Sequence, residues 1–351
     1  MALVALWLAL FGAWRPGEAP GSSPRVAAQA APGRILAVVG RQVGWLNLEA
    51  PRPQVLTAFQ APSFAMDVAA IPASTLAAVA VAEPLAGQVE PGGDLLGLDL
   101  SSSNSSPPPA PVPLVLRADA GEWLGAPMWL PDGSALVFQR EDLRAGSDLY
   151  AGQAAVRYPA RIELAAPGGT RSVLVTDGHH PSPSPDGSEL AFVRLSPHGT
   201  ALLVHSLVDG AERVLVPPGT LPDITYPRYA PSGDRLAFMA TTASSQQPVD
   251  RASQPSIRRA GRPTIDVADL LGPRPALAHG LPWNLWVVGR DGSGLHQVAP
   301  VGADDASVAW SPDGSQLFVY GSTGARLVDA STGETQLLTF LAGFGAIAWL
   351  P

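Results

Sequence analysis

The sequence contains no cysteine and no lysine, so all 22 of its basic residues are arginine. Without cysteine there can be no disulfide, thiol nucleophile, iron–sulfur cluster or lipid-modified cysteine anchor. Without lysine there can be no Schiff-base lysine and no P-loop lysine. Charged residues are also few, at 15% of 351 residues, and the formal net charge is −8. An acidic chain of this kind lacks the electrostatic footprint of a nucleic-acid-binding protein.

Proline and glycine are abundant, with 37 and 36 residues respectively, yet 46% of the chain is hydrophobic. A chain with this much apolar material can build a core, so the Pro and Gly content does not indicate overall disorder. Many short apolar runs are interrupted by Pro and Gly. This composition predicts an all-β protein.

The N-terminus begins with an apolar run from Met1 to Trp14, followed by the small-x-small sequence Ala28-Gln29-Ala30. The run is shorter than the roughly 20 residues of a membrane-spanning helix and fits the apolar core of a signal peptide. No basic residue precedes it, so a retained N-terminal anchor or a buried helix stays open. We predict that residues 1–32 are a signal peptide or anchor plus linker. The protein would then be exported, whether periplasmic, cell-surface or secreted.

One sequence motif, called here the repeat phrase, recurs along the chain: an apolar stretch, a Pro-Asp-Gly turn and an apolar strand. In this turn Pro presets φ, Asp bonds back to its own backbone and Gly takes a positive φ, which predicts a hairpin. A Trp or Tyr precedes some copies and offers a flat face for packing between sheets. The copies are Pro131-Asp132-Gly133, Pro185-Asp186-Gly187, Pro312-Asp313-Gly314, the variant Pro231-Ser232-Gly233 and a degenerate copy at 71–74.

Two further apolar strands follow most of these hairpins, as at Ala325–Asp329 and Thr335–Thr339. Four strands per repeated unit are typical of a propeller blade. The repeats resemble the TolB-like β-propeller repeat, a relative of the WD40 repeat, whose Trp-Ser-Pro-Asp-Gly mark is matched in full at 310–314. The resemblance covers roughly residues 33–351 and implies an all-β propeller of four-stranded antiparallel blades. TolB also has an N-terminal α/β domain that this sequence does not match, so its partner role is not carried over wholesale.

The two ends of the predicted propeller complement one another. Residues 346–351 read as the first half of the repeat phrase, whereas 34–39, 43–48 and 54–57 read as strands two to four of a blade. An unpaired sheet edge is a liability, and supplying the missing strand from the other terminus would tie the ring shut. With units starting near 65, 126, 180, 225 and 306, this predicts six blades over residues 33–351.

Long insertions fall between the second and third strands of three units, at 82–93, 139–160 and 241–282. We expect these loops to crowd one face, opposite the Pro-Asp-Gly turns, where binding sites usually lie. The insertion 241–282, in the fifth blade unit, has five arginines and three aspartates. It is either a lid or partner-docking element or a surface loop. Its candidate ligand-binding residues are Arg258, Arg259 and Arg262.

The other candidate ligand-binding residues are Glu122, Trp123, Asp177, His179, His180, Asp304 and Asp305. The adjacent histidines fall in a loop before the fourth unit, and in an extended backbone neighbouring side chains point to opposite faces. They are therefore poorly placed to share one transition-metal ion, and we predict no metal site. Asp304-Asp305 would either bind Ca²⁺ or a cationic group or simply solvate a loop.

No G-x-S-x-G, H-E-x-x-H, dinucleotide-binding or EF-hand pattern is present, so the sequence predicts no catalytic residue and no cofactor. The first hypothesis is a non-catalytic, monomeric, exported propeller that binds a protein, peptide or glycan of the cell envelope through the insertion-bearing face. The alternative is a propeller-type polysaccharide lyase or hydrolase that uses channel-top carboxylates or a His-bound metal. A structural envelope protein without a small ligand is the third possibility.

Overall fold

The protein is described by a computed structural model over residues 33–48, 52–60, 63–71, 74–83, 92–102, 112–145, 158–166, 170–242, 282–303 and 306–351. The predicted signal or anchor segment 1–32 lies outside these ranges, as does most of the insertion 241–282. Within the described ranges, no helix has the length and apolar character needed to cross a bilayer.

The regular elements of the described residues are almost all β-strands, as the composition predicted. The strands are β1 Arg34–Val39, β2 Gln42–Leu46, β3 Gln54–Val55, β4 Phe64–Ala70, β5 Leu76–Glu83, β6 Gly92–Asp99, β7 Val112–Leu116, β8 Glu122–Trp129, β9 Leu136–Asp142, β10 Ala160–Ala165, β11 Arg171–Val175, β12 His179–Pro183, β13 Glu189–Ser196, β14 Gly199–Ser206, β15 Glu212–Val216, β16 Ile224–Tyr229, β17 Arg235–Ala240, β18 Trp283–Gly289, β19 His296–Ala303, β20 Ser307–Trp310, β21 Gln316–Gly321, β22 Gly324–Asp329, β23 Thr335–Leu338 and β24 Ala348–Leu350. Two 3₁₀ turns, Leu100–Ser102 and Leu143–Ala145, complete the described elements.

The strands assemble mainly into four-stranded antiparallel sheets. In the described part of the chain these sheets are β24-β1-β2-β3, β12–β15, β16–β19 and β20–β23. The strands β4–β7 and β8–β11 belong to one eight-stranded sheet, whose two halves meet through a single parallel pair, Gly93 with Trp123. Each half repeats the four-stranded pattern of the other sheets.

The last strand pairs with the first. In the antiparallel ladder between β24 and β1, Arg34 is opposite Leu350 and Leu36 is opposite Ala348. The side chain of Trp349 is buried and meets Phe318 edge to face, with ring centroids 6.3 Å apart. The C-terminal residues therefore join a sheet whose other strands come from the N-terminal part of the described chain.

The Pro-Asp-Gly turns have the geometry expected from their residues. The glycines take φ values near +70°, and the Asp Oδ1 atoms accept a hydrogen bond from the backbone N–H two residues later, at 2.9–3.0 Å. Both features reverse the chain within four residues, because Gly has no Cβ to clash and Asp satisfies an otherwise free amide. These turns join the first and second strands at Pro131-Asp132-Gly133, Pro185-Asp186-Gly187 and Pro312-Asp313-Gly314.

The first strands of successive units are neighbours in space. We call β4, β8, β12, β16, β20 and β24 the inner strands. Each contacts the next in this order, and β24 contacts β4. The apolar core lies between sheets: one cluster joins Met239 and Trp283 of one sheet to Val308 and Leu317 of the next. Trp310, just before its turn, donates its Nε1–H to the Arg228 carbonyl of the preceding sheet at 3.0 Å.

A network of charged groups ties two neighbouring sheets together beside a Pro-Asp-Gly turn. Arg290 contacts Asp186 and Glu189 at 2.9 Å each, while Arg213 contacts Glu189 at 3.0 Å. Burial raises the pKa of Glu189, but hydrogen bonds from both arginines outweigh it and hold this pKa below its usual value. The Tyr229 hydroxyl donates a further bond to Glu189 at 3.1 Å.

We expect Glu189→Gln to lower the free energy of unfolding by about 1–2 kcal/mol at pH 7, because both guanidinium groups lose their shared carboxylate. A depressed carboxyl pKa contributes stability above the unfolded-state value of 4.5 and loses it as the pH falls. The difference from the wild type should therefore shrink between pH 5 and pH 3 in urea unfolding curves. Glu334→Gln, at an exposed turn, is the matched control. Equal losses in both variants would contradict the role assigned to Glu189.

Candidate ligand-binding site

The long insertions leave the sheets at the end where the inner strands begin. Phe64 is paired with Ala82, Glu122 with Asp142 and Ile224 with Ala240, and each second strand ends at or next to these partners. We call this end of the sheets the loop edge, and the opposite end, with the Pro-Asp-Gly turns, the turn edge. The candidate residues at the starts of β8 and β12 therefore share an edge with the insertions.

His179 and His180 begin β12, whereas the sequence placed them in a loop before it. The backbone is not extended here, because His180 has a φ of +50° and the ladder to β13 shifts register between His179 and Ser182. His179 is buried, and the two ring centroids are 6.4 Å apart. The His180 Nε2 atom lies 3.0 Å from Thr225 Oγ1, and its backbone N–H donates to Gln139 Oε1 at 2.9 Å.

The irregularity at His180 recurs in two other inner strands. Ala126 and Tyr226 have φ values of +45° and +48°, and the ladders of β8 and β16 shift register at these positions. Each of the three residues stands directly before a proline, which itself precedes the turn proline by four residues. Non-glycine residues with positive φ cost about 1–3 kcal/mol, and bulges of this kind re-aim side chains. In β12 and β16, where two of these bulges lie, the ring centroids of His180 and Tyr226 are 4.6 Å apart.

Arg228 follows this irregularity in β16 and is 6% exposed. Its Nη1–H donates to the Pro227 carbonyl at 2.8 Å, and its guanidinium carbon lies 5.7 Å from the Tyr226 ring centroid. Burial lowers the pKa of Arg228, and the neighbouring Tyr226 hydroxyl and Asp67 carboxylate act in the opposite direction. A desolvated cation therefore lies among the inner strands.

Asp67, on the inner strand β4, is also buried. Its Oδ1 accepts the Ala346 N–H at 2.6 Å and its Oδ2 accepts the Ala126 N–H at 3.0 Å. Both donors come from other parts of the chain: Ala126 belongs to β8, and Ala346 precedes β24. Both carboxylate oxygens of Asp67 are therefore used to hold neighbouring inner strands.

Glu122 and Trp123 both make contacts with other residues of this chain. The Glu122 carboxylate forms an ion pair with Arg140, and Arg144 lies 3.3 Å from its Oε1 atom. Trp123 is 9% exposed, and its ring covers Gly93 so closely that a Cβ at that glycine would clash with it. One of the carboxylates available to the lyase or hydrolase alternative is thus held by two guanidinium groups.

The remaining candidates are not brought together in the described structure. Asp177 is half exposed and faces Arg194, whose Nε lies 3.9 Å from its Oδ2 atom. Burial, the larger influence, raises the pKa of Asp177. Among the residues with described positions, no group of three or more His, Asp or Glu side chains is arranged to hold a metal ion. Asp304, Asp305, Arg258, Arg259 and Arg262 lie outside the described residues.

Comparison with solved structures identifies the architecture. TolB from Acinetobacter baumannii aligns with a TM-score of 0.59 and 13% identity, covering 91% of this chain and 67% of that chain. A TolB from Agrobacterium tumefaciens aligns with a TM-score of 0.54 and 14% identity over 92% of this chain and 100% of that one. The fold is that of a TolB-like β-propeller.

A chain of the nidogen/laminin complex also resembles the TolB-like propeller described here. It has a TM-score of 0.55 and 10% identity, and the alignment covers 90% of this chain and 98% of that one. No protein-family model matches the sequence, and no curated protein matches it either. At these identities the comparisons establish the fold.

Sequence reasoning missed three residues that the TolB-like propeller places among its inner strands: Asp67, Tyr226 and Arg228. A usable signal was present, because Ala126, His180 and Tyr226 each precede a proline four residues before the turn proline. That repeated proline marks the bulge, so Tyr226 could have been grouped with His180. Nothing local marks Asp67, since its partners lie 59 and 279 residues away.

Proposed function

We propose that this chain is an exported, non-catalytic, six-bladed TolB-like propeller that binds a protein or peptide at its loop edge. The observation that carries the proposal is the set of bulges in neighbouring inner strands. They direct His180 and Tyr226 to one place, at the same edge from which the three insertions depart. A rigid scaffold that presents aromatic side chains beside long loops is a typical binding surface.

The six-blade count and ring closure are part of this proposal. Counting each half of the eight-stranded sheet as one unit, the four-stranded units are β24-β1-β2-β3, β4–β7, β8–β11, β12–β15, β16–β19 and β20–β23. The succession of contacts between inner strands, from β4 round to β24 and back to β4, supports a ring. Pairing of β24 with β1 supports closure between the two ends of the chain.

The solved structures that resemble this chain are consistent with binding to another protein. One similar chain comes from a nidogen/laminin complex, which is an assembly of proteins. The proposal of export rests on the apolar run Met1–Trp14 and the Ala28-Gln29-Ala30 sequence within residues 1–32. Residues 33–351 would form the propeller.

Site-specific photocrosslinking can test the binding edge. A benzoylphenylalanine at His198, exposed in the loop-edge turn between β13 and β14, should give a discrete adduct with a protein from the envelope fraction of the producing cells. The same probe at Ser232, exposed at the turn edge, is the matched control and should give none. Equal adducts from both positions, or none from either, would reject the loop edge as the binding surface.

The captured protein should then bind the purified propeller directly. We expect Tyr226→Ala to weaken this binding at least about tenfold, because interface tyrosines commonly contribute more than 1.4 kcal/mol. Titration calorimetry with the wild type and the variant measures the change. Undiminished binding to Tyr226→Ala would place the interface elsewhere.

A further inference from the structure

Among the described residues, one edge of the Arg228 guanidinium group has no hydrogen-bond partner. Its Nη1–H donates to the Pro227 carbonyl, whereas its Nε is buried and makes no hydrogen bond. Nη2 has no described hydrogen-bond acceptor either. Nε and Nη2 form the side-on edge of the guanidinium plane, which matches the two oxygens of a carboxylate. The free edge is therefore the one suited to bidentate binding.

No described carboxylate forms a direct ion pair with this cation. Asp67 supplies the opposite charge that acts on Arg228, but both Asp67 oxygens already accept backbone N–H groups from Ala126 and Ala346. No ion pair links the two side chains in the described part of the protein. A buried charge is costly unless it is paired and hydrogen-bonded, so an uncompensated buried arginine needs an explanation.

We propose that Arg228 binds a carboxylate of the peptide or protein ligand, through its Nε and Nη2 atoms, between the inner strands. The inference rests on the proposed function and adds the chemistry of the group recognised. The Tyr226 ring centroid lies 5.7 Å from the guanidinium carbon. The His180 ring lies next to Tyr226, with centroids 4.6 Å apart, and its Nε2 is 3.0 Å from Thr225 Oγ1. The carboxylate would come from an Asp or Glu side chain or from a free C-terminus.

Charge balance favours a carboxylate over a phosphate group. A ligand carboxylate adds one negative charge beside the Arg228 guanidinium and the buried Asp67 carboxylate. A phosphate carries nearly two negative charges at pH 7 and would be repelled more strongly by Asp67. The planar guanidinium edge also matches a carboxylate in a bidentate hydrogen-bonding geometry.

The first test removes the charge without any ligand present. Replacing a buried cation that lacks a partner by an apolar side chain of similar length is neutral or stabilising. We expect Arg228→Met to have a Tm equal to or above that of the wild type. A clear fall in Tm would overturn the proposal, because it would show that Arg228 is held by a carboxylate of its own chain or serves the fold.

The second test measures binding of short peptides by titration calorimetry. The probes are acetyl-Gly-Gly-Gly with a free C-terminus, acetyl-Gly-Glu-Gly-amide with an acidic side chain, and the neutral acetyl-Gly-Gly-Gly-amide. We expect one of the two acidic probes to bind the wild type, and binding by Arg228→Met to be at least tenfold weaker. Arg326→Met is the matched control, since Arg326 is another partly buried arginine whose pKa burial lowers. It should bind like the wild type.

Several outcomes would overturn the inference. These are binding of the neutral probe as strongly as the acidic ones, no binding of any probe, and equal loss of binding in Arg228→Met and Arg326→Met. Inorganic phosphate binding more tightly than both acidic peptides would overturn the choice of carboxylate. Failure of the proposed function is separate, because loop-edge crosslinking would then fail while the acidic probes still bind through Arg228.

Discussion

A chain truncated after Gly345 is expected to unfold at a Tm at least about 10 °C below that of the full chain. The truncation removes β24, and with it the ladder to β1 and the buried ring of Trp349. Loss of a buried Trp costs about 3–5 kcal/mol, and the exposed edge of β1 loses its hydrogen bonds in addition. For a domain of this size, a loss of 1 kcal/mol in the free energy of unfolding lowers the Tm by about 2 °C. Differential scanning calorimetry measures the shift.

Two controls separate strand loss from simple shortening. Removal of Pro351 alone, which is exposed and outside β24, should leave the Tm unchanged. Trp349→Ala should account for a large part of the effect, whereas Phe340→Ala, at a side chain that is 42% exposed, should have little effect. A full-length Tm for the truncated chain would show that pairing of the termini does not hold the propeller together.

Asp67→Asn is expected to lower the free energy of unfolding by about 2–4 kcal/mol. The Asp67 carboxylate accepts two backbone N–H groups, from Ala346 at 2.6 Å and Ala126 at 3.0 Å, so it joins three inner-strand regions. An amide of the same shape offers one acceptor oxygen and turns an N–H₂ group toward the second donor. Charge-assisted hydrogen bonds contribute about 1.5–3 kcal/mol each, and the donor left alone is buried.

Equilibrium urea unfolding at pH 7 compares this variant with Asp132→Asn. Asp132 is exposed at a turn, where its Oδ1 accepts the Ser134 N–H within the same hairpin. We expect the control to lose less than about 1 kcal/mol, because water can replace that bond. Similar losses in both variants would mean that Asp67 has no special role in joining inner strands.

The repeating local features of the fold could be predicted from the sequence alone. The first strand was predicted at its observed bounds, Arg34–Val39, and units predicted to start near 65, 180, 225 and 306 begin at Phe64, His179, Ile224 and Ser307. The unit predicted near 126 begins four residues earlier, at Glu122. The turns can be predicted from the sequence because Pro, Asp and Gly set the backbone conformation within four residues.

The burial and pairing of the polar and aromatic side chains depend on the tertiary structure. Glu122 and Trp123 resemble site residues in sequence, but both contact residues of other strands. Glu122 forms an ion pair with Arg140, and the Trp123 ring packs against Gly93. Arg228 looks like one of 22 basic residues, yet it is buried and its Nε has no hydrogen-bond partner among the described residues. Burial and pairing of these groups depend on contacts between strands far apart in the chain. The period of the repeat does not encode such contacts.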